Sequence, residues 1–181
     1  MLEVDVRSEA AELFLSAPWA AGVDSKTCRA ILGVLVERRA PKGAILLEQG
    51  RANDHISFLI GGSATIERAR AGAHPETLAT LVSPSIFGTT TFFTTQAPTF
   101  SVRAASDVWL LTLDHPSHDR LRREDPAAAE RLALIVLRVL SDRFTQLDHL
   151  YSDYMVSHPD DPVKVTEWAR FRARLFEEPG D

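Results

Sequence analysis

A glycine followed by three threonines is the part of this sequence best suited to ligand chemistry. Gly88 precedes Thr89, Thr90 and Thr91, within a segment from Leu81 to Ala104 that interrupts a series of short β-like runs. A glycine at the start of a short helix lets several backbone N–H groups converge on an anion, and the helix N-terminus adds partial positive charge. The pattern predicts a site for a small anionic group.

A close pair of histidines is the second chemical candidate. His115 and His118 stand three residues apart, a spacing that can place two metal ligands on one helix face. No third ligand lies at a defined distance, and the preceding Asp114 is better explained as a helix N-cap. We therefore expect no metal site.

Motifs typical of enzymes are missing from the sequence. There is no Gly-x-Ser-x-Gly elbow, no paired cysteine and histidine, no Walker-type phosphate loop and no dinucleotide fingerprint. The prediction is a protein with no catalytic residues and no cofactor.

The composition is that of a globular chain of one domain. The 181 residues are 45% hydrophobic and 25% charged, and no run is apolar enough to cross a bilayer. The acidic N-terminal segment does not resemble a secretory signal, and the single cysteine, Cys28, excludes an intrachain disulfide. We expect a cytoplasmic protein that does not bind membranes, with Cys28 as a buried apolar residue. The net charge of −5 disfavours nonspecific binding to nucleic acid.

The pattern of apolar residues predicts helices at both ends and strands between them. Residues 9–15 and 24–36 show helical spacing, with Asp24 or Ser25 as the cap of the second. Short β-rich runs separated by turns, including one at 71–73, indicate a sandwich or barrel. These runs are 45–47, 55–60, 64–67, 77–82, 100–104 and 108–113.

A long helix is predicted after the strands. Residues 114–122 form a short helix, and Asp125 followed by Pro126 marks the start of a longer one. This longer helix is apolar on most sides, so it must be buried on most sides, and its remaining face most simply packs on a second copy of the chain. The predicted homodimer interface contains Leu132, Val136, Leu140, Phe144, Leu147 and Tyr151. The alternative is that the chain's own tail covers the helix.

The order of the motifs resembles that of a known family. Pro41-Lys42-Gly43-x-Ile45-Leu46 is followed by Glu48-x-Gly50, by Ile56-x-Phe58-Leu59-Ile60 and by Phe87-Gly88, and Pro98-x-x-x-Val102-x-Ala104 comes last. This order is similar to that of the cyclic-nucleotide-binding domain family, which includes catabolite-activator-type regulators, protein kinase A regulatory subunits and cyclic-nucleotide-gated channels. The alternative is an unrelated β-barrel with similar turns.

The resemblance implies a fold and a division of the chain. The fold is mainly β with flanking α: an antiparallel, jelly-roll-like β-roll (a double-stranded β-helix) with N-terminal helices and a long C-terminal helix. The predicted parts are a helical lead-in at 1–36, the β-roll at 37–113, the C-terminal helices at 114–151 and a tail with a further helix at 152–181. Within the roll, residues 86–104 correspond to the family's phosphate-binding cassette.

The cassette departs from the family pattern at two side chains. The family has a Glu directly after the glycine, which holds the ribose, and an Arg near the following strand, which pairs with the cyclic phosphate. Here Thr89 occupies the first position, while Pro98 or Thr99 occupies the second, depending on the direction of counting. Arg103 is not a replacement, because one step of strand register turns a side chain to the other face. A hydroxyl cannot substitute for a bidentate Arg–phosphate contact.

Three functions remain open after this comparison. The first is a regulatory module that signals by helix repositioning and binds a small anionic or nucleotide-like ligand other than cyclic AMP or cyclic GMP. Its predicted pocket residues are Phe87, Gly88, Thr89, Thr90, Thr91, Pro98, Thr99 and Ser101. The second is a dimeric interaction protein whose pocket is vestigial, and the third is a cupin-like metal-dependent enzyme.

Direct DNA binding is not expected. In DNA-binding relatives a winged helix-turn-helix domain follows the long helix. The tail of roughly thirty residues is too short for one, since independent cores are rare below about 40 residues.

Overall fold

The computed structural model describes residues 6–70, 74–94 and 96–157, with side-chain burial for 9–70, 74–94 and 96–153. The predicted turn at 71–73 and residues 158–181 of the predicted tail lie outside this description. The helices are α1 (Val6–Ser16), α2 (Ser25–Val34), α3 (Thr89–Phe92), α4 (His115–Glu124) and α5 (Pro126–Ser157), with a 3₁₀ turn at Pro18–Ala20. The strands are β1 (Val36–Ala40), β2 (Ile45–Leu47), β3 (His55–Gly61), β4 (Ser63–Arg68), β5 (Glu76–Val82), β6 (Ser85–Phe87), β7 (Ser101–Ala104) and β8 (Val108–Asp114).

The strands form two antiparallel sheets of four, in the orders β1-β8-β3-β6 and β2-β7-β4-β5. The first and last strands are neighbours, because Val36 lies opposite Thr112. On this edge Arg39 covers the Trp109 ring at 4.1 Å, and the indole Nε1–H donates to Glu37 Oε1 at 2.8 Å. The prediction of an antiparallel β-roll with flanking helices is confirmed.

Two hydrophobic cores hold the described part of the roll together. One lies between the helices and the first sheet, where the rings of Phe14 and Trp19 contact Phe58 at centroid distances of 5.2 and 5.5 Å. The other contains Leu59, Phe87 and buried residues of both sheets. Burying aromatic rings of this size contributes much of a core's stability. The cores therefore anchor β3, the strand beside which the glycine-threonine segment begins.

Side-chain caps fix the starts of α2, α4 and α5. Asp24 Oδ1 accepts from the Lys26 and Thr27 amides at 3.0 Å, Asp114 Oδ1 accepts from Ser117 N at 2.8 Å, and Asp125 Oδ1 accepts from Ala128 N at 3.0 Å. A carboxylate at this position satisfies amides that have no partner within the helix. These three caps agree with the sequence-based assignments.

The predicted ends of two helices and the number of strands need correction. The helix predicted at 24–36 stops at Val34, because Val36 already pairs with β8. The strands β1 and β6 were not predicted as strands, and α5 continues to Ser157, beyond the predicted limit at residue 151.

The chain divides into two compact units, residues 1–140 and 141–181. In the first unit Leu132 and Val136 are 0% and 2% exposed, and both belong to the core. They are therefore removed from the predicted dimer interface. Cys28 is also buried, as predicted, and burial raises the pKa of its thiol.

Within the described residues, no helix combines the length and the apolar character that a membrane-crossing segment requires.

Candidate functional site

Gly88 forms the turn between β6 and α3. Its φ angle is +80°, a region that glycine adopts without the cost other residues incur. A Cβ at this position would lie 2.6 Å from the His55 carbonyl oxygen. The backbone of the turn therefore packs directly against the first residue of β3, and only glycine allows this approach.

The side chain of Asn53 also holds the turn. Its side-chain Nδ2 lies 2.8 Å from His55 O, 3.2 Å from Gly88 O and 3.0 Å from Thr91 Oγ1. One amide thus joins β3, the glycine turn and α3. Asn53 cannot be recognised as a site residue from the sequence, because a single amide in a loop matches no motif.

The three threonines of α3 differ in their surroundings. Thr89 and Thr91 are buried, whereas Thr90 is exposed. The carbonyl of Thr90 accepts from the Thr94 hydroxyl at 3.0 Å. Within α3, Thr90 is therefore the threonine whose side chain is exposed.

The far end of the predicted pocket is bonded to the 48–50 turn. The carbonyl of buried Pro98 accepts from Gly50 N at 2.9 Å, and Ser101 Oγ accepts from Gln49 N at 3.0 Å. Thr99 is exposed. Both Pro98 and Ser101 therefore contribute to holding the loop, in addition to any contact with a ligand.

Phe87 belongs to the second core, where it is buried with Leu59 and Val102. Its role as a pocket residue stays a prediction, while its packing inside the roll is what the structure describes.

The side chain of Arg103 bonds to residues outside the cassette segment. Its Nε donates to Glu67 Oε2 at 3.1 Å, and one terminal nitrogen donates to Gly43 O at 2.9 Å. The sequence from residue 83 to 104 contains no other ionisable side chain. The cassette segment therefore carries a single charge, and that charge is already paired.

Two aromatic residues connect the cassette to α4. The Phe92 ring stacks on His115 at 4.2 Å and 7° between the planes, while His118 meets both Phe92 and Phe93 at 5.7 Å. Phe92 is buried and Phe93 is 50% exposed. Burial lowers the pKa of His118, and the nearby positive charge of Arg122 lowers it further.

No group of three or more His, Cys, Asp or Glu side chains in the described ranges is arranged to hold a metal ion. His115 and His118 instead make the ring contacts with Phe92.

The comparison with protein families gives one match. Residues 37–125 match the model of the cyclic nucleotide-binding domain. This range begins in β1 and ends at the cap of α5, so it includes the roll, the cassette and α4. No curated protein matches the sequence.

Many solved structures resemble the fold. The catabolite activator protein of Thermus thermophilus is 25% identical with a TM-score of 0.60, and the match covers 75% of this chain and 63% of that one. A cyclic nucleotide-binding domain from Methylobacillus flagellatus is 16% identical with a TM-score of 0.70, covering 82% and 84%. The regulatory domain of Toxoplasma gondii protein kinase A, solved with cyclic AMP, is 19% identical with a TM-score of 0.61, covering 77% and 50%.

Proposed function

Residues 37–125 of this chain belong to the cyclic nucleotide-binding domain family, and from that premise we propose that the protein is a non-enzymatic regulatory module. Its cassette does not bind cyclic AMP or cyclic GMP in the family's usual way. A different small ligand occupies the site, and the chain signals through the helices that follow the roll.

The absence of a free charge in the cassette sequence carries this proposal. Thr89 stands where the family has its ribose-binding Glu, and the Arg position falls on Pro98 or Thr99. Arg103, the single ionisable residue of the segment, is bonded to Glu67 and Gly43. A cyclic phosphate would therefore have to rely on backbone amides and neutral hydroxyls, which bind a phosphate less strongly than a bidentate Arg does.

Thermal unfolding with and without ligand tests the proposal. A compound that binds the native state at a hundred times its dissociation constant stabilises it by about 2.7 kcal/mol, which raises Tm by roughly 5 to 10 °C for a chain of this size. We expect no shift with saturating cyclic AMP or cyclic GMP. A shift of that size with either one would overturn the proposal.

A panel of other nucleotides and small anions then searches for the ligand. The isosteric variant Thr90→Val removes the exposed hydroxyl of α3 and is the matched control. A compound whose shift shrinks in this variant binds at the cassette. A shift that is equal in both proteins indicates binding that does not use the Thr90 hydroxyl.

The alternative function is an interaction protein whose pocket is closed by its own side chains. Phe100 supports this reading, because it packs against the core inside the roll. Phe92 and Phe93 do not support it, since their rings face α4. Failure of every compound in the panel to raise Tm would favour this alternative.

We also propose that the protein is a homodimer through α5. Leu137 in the first unit and Phe144 and Leu147 in the second are 61%, 51% and 53% exposed. Together with Leu140 and Tyr151 these residues repeat at alternating steps of three and four, the spacing of a coiled-coil seam. This seam omits Leu132 and Val136 from the interface predicted from the sequence and adds Leu137. A cytoplasmic location, with no membrane or DNA partner, remains part of the proposal.

A further inference from the structure

Four rings form a compact cluster between the cassette and α4. Phe92 lies against His115 and His118, and Phe93 lies against Phe92 at 4.9 Å and against His118 at 5.7 Å. We call Phe92, Phe93, His115 and His118 the His–Phe latch. Because α3 has only four residues, this cluster and the Asn53 bonds are major attachments of the short helix to its surroundings.

We propose that the His–Phe latch is pH-sensitive: it holds α3 against α4 while His118 is neutral and releases α3 when His118 is protonated. The inference goes beyond the proposed function, because it requires no ligand.

The surroundings of His118 oppose a positive charge. Its ring is partly buried between two phenyl rings, and burial is the largest cause that lowers its pKa. Arg122 and His115 on α4 lower the pKa as well, while Asp119 on the same helix raises it. Releasing the ring into water removes the burial cost.

Among the described residues, the rings that His118 contacts are those of Phe92 and Phe93, which carry no charge. α3 and Phe93 carry no ionisable side chain. On α5, Glu130 lines the same cavity of about 400 Å³ as His118 and Arg122. This cavity also gives protons access to the imidazole.

His115 contributes differently to the latch. It is stacked on the Phe92 face with only 7° between the rings. This contact makes His115 a platform for Phe92, while His118 meets both phenyl rings.

Linkage fixes the direction of the effect. In an opened latch His118 regains the ordinary pKa of about 6.5, which lies above its lowered pKa in the closed latch. Protons thus bind the opened form more tightly, so the closed form is favoured above about pH 6.5 and is progressively lost below it.

Hydrogen exchange of the whole chain at pH 7.5 and 5.5 tests the latch. After correction for intrinsic exchange rates, protection of the amides of α3 is expected to fall at the lower pH. Because pH 5.5 lies one unit below the ordinary His pKa of about 6.5, the fall in protection can reach about tenfold at most. Unchanged protection in the wild-type protein would overturn the proposal.

Two variants and one titration test whether the pH dependence of α3 protection comes from His118 or from another group. His118→Gln keeps a planar polar side chain without a titrating ring, and we expect protection that no longer depends on pH. The control His74→Gln alters an exposed histidine outside the cluster and should behave like the wild type. Should His118→Gln not fold, NMR titration of His118 in the wild-type chain decides, and a pKa at or above about 6.5 overturns the proposal.

Discussion

Gly88 matters at the residue scale because its backbone approaches β3 more closely than any side chain would allow. We predict that Gly88→Ala destabilises the protein by about 1 to 3 kcal/mol, since the new Cβ would meet the His55 carbonyl at 2.6 Å in a backbone with φ of +80°. Urea unfolding at pH 7.5 measures the change.

Gly33→Ala is the matched control for this substitution. Gly33 lies in α2 with an ordinary φ, and a Cβ there meets nothing within 4 Å. Alanine is favoured over glycine inside a helix by about 0.5 to 1 kcal/mol, so this variant should be as stable as the wild type or slightly more stable. Equal losses in the two variants would contradict our account of the turn.

The sequence predicts a glycine turn at the start of a short helix but not what each residue of that segment contacts. Glycine followed by threonines is a local pattern, and local patterns can be read from the chain. The hydrogen bond between Asn53 and Thr91 joins residues 38 positions apart, so no local pattern indicates it. Likewise, the sequence around Gly88 does not show that Phe87 packs with Leu59 and Val102 in the second core.

At the scale of elements, the cap of α4 connects the last strand to the helix that carries both latch histidines. Asp114 accepts a hydrogen bond from the Ser117 amide, and hydrogen bonding by Ser117 holds the pKa of this carboxyl below its ordinary value. Stability from this carboxylate is present above the ordinary Asp pKa and is lost as pH falls through the lowered value.

We predict that Asp114→Ala lowers the free energy of unfolding by about 1 kcal/mol at pH 7 and removes part of the loss seen below about pH 4 in the wild type. Urea unfolding from pH 7 to 3 provides the measurement. Asp119→Ala is the control, because Asp119 caps no helix and its 3.5 Å pair with Arg122 is exposed, so its loss should cost no more than about 0.5 kcal/mol at pH 7. A larger loss of stability in Asp119→Ala would mean that the loss in Asp114→Ala does not come from the helix cap.

The elements that sequence reasoning missed are those with weak local patterns. β1 reads Val-Glu-Arg-Arg-Ala, and three consecutive charged residues hide the alternation expected of a strand. β6 has three residues, too few for any period to be visible. By contrast, α5 was found easily, yet which of its apolar residues face the core could not be known before Leu132 and Val136 were seen to be buried there.

At the scale of the whole molecule, the proposed dimer rests on apolar side chains that one chain leaves exposed. We predict that Phe144→Glu shifts the protein from dimer to monomer, because a carboxylate in a packed apolar seam lacks a partner. Sedimentation velocity at several protein concentrations measures the oligomeric state. Thr145→Glu introduces the same charge at the next exposed position and should remain dimeric. A monomeric wild-type protein would refute the proposed interface.

The pairing of β1 with β8 has a consequence for how the protein is made. β1 is the edge strand of the first sheet and pairs with β8, so β1 has no partner in its sheet until β8, which ends at residue 114, has been synthesised. At a synthesis rate of roughly 5 to 20 residues per second, about 4 to 16 s pass between the synthesis of β1 and that of β8. An unpaired strand exposes backbone donors and acceptors that favour aggregation during this interval. Glu37, Arg38 and Arg39, which made β1 hard to recognise as a strand, oppose such pairing in the nascent chain and stay on the edge strand of the finished sheet.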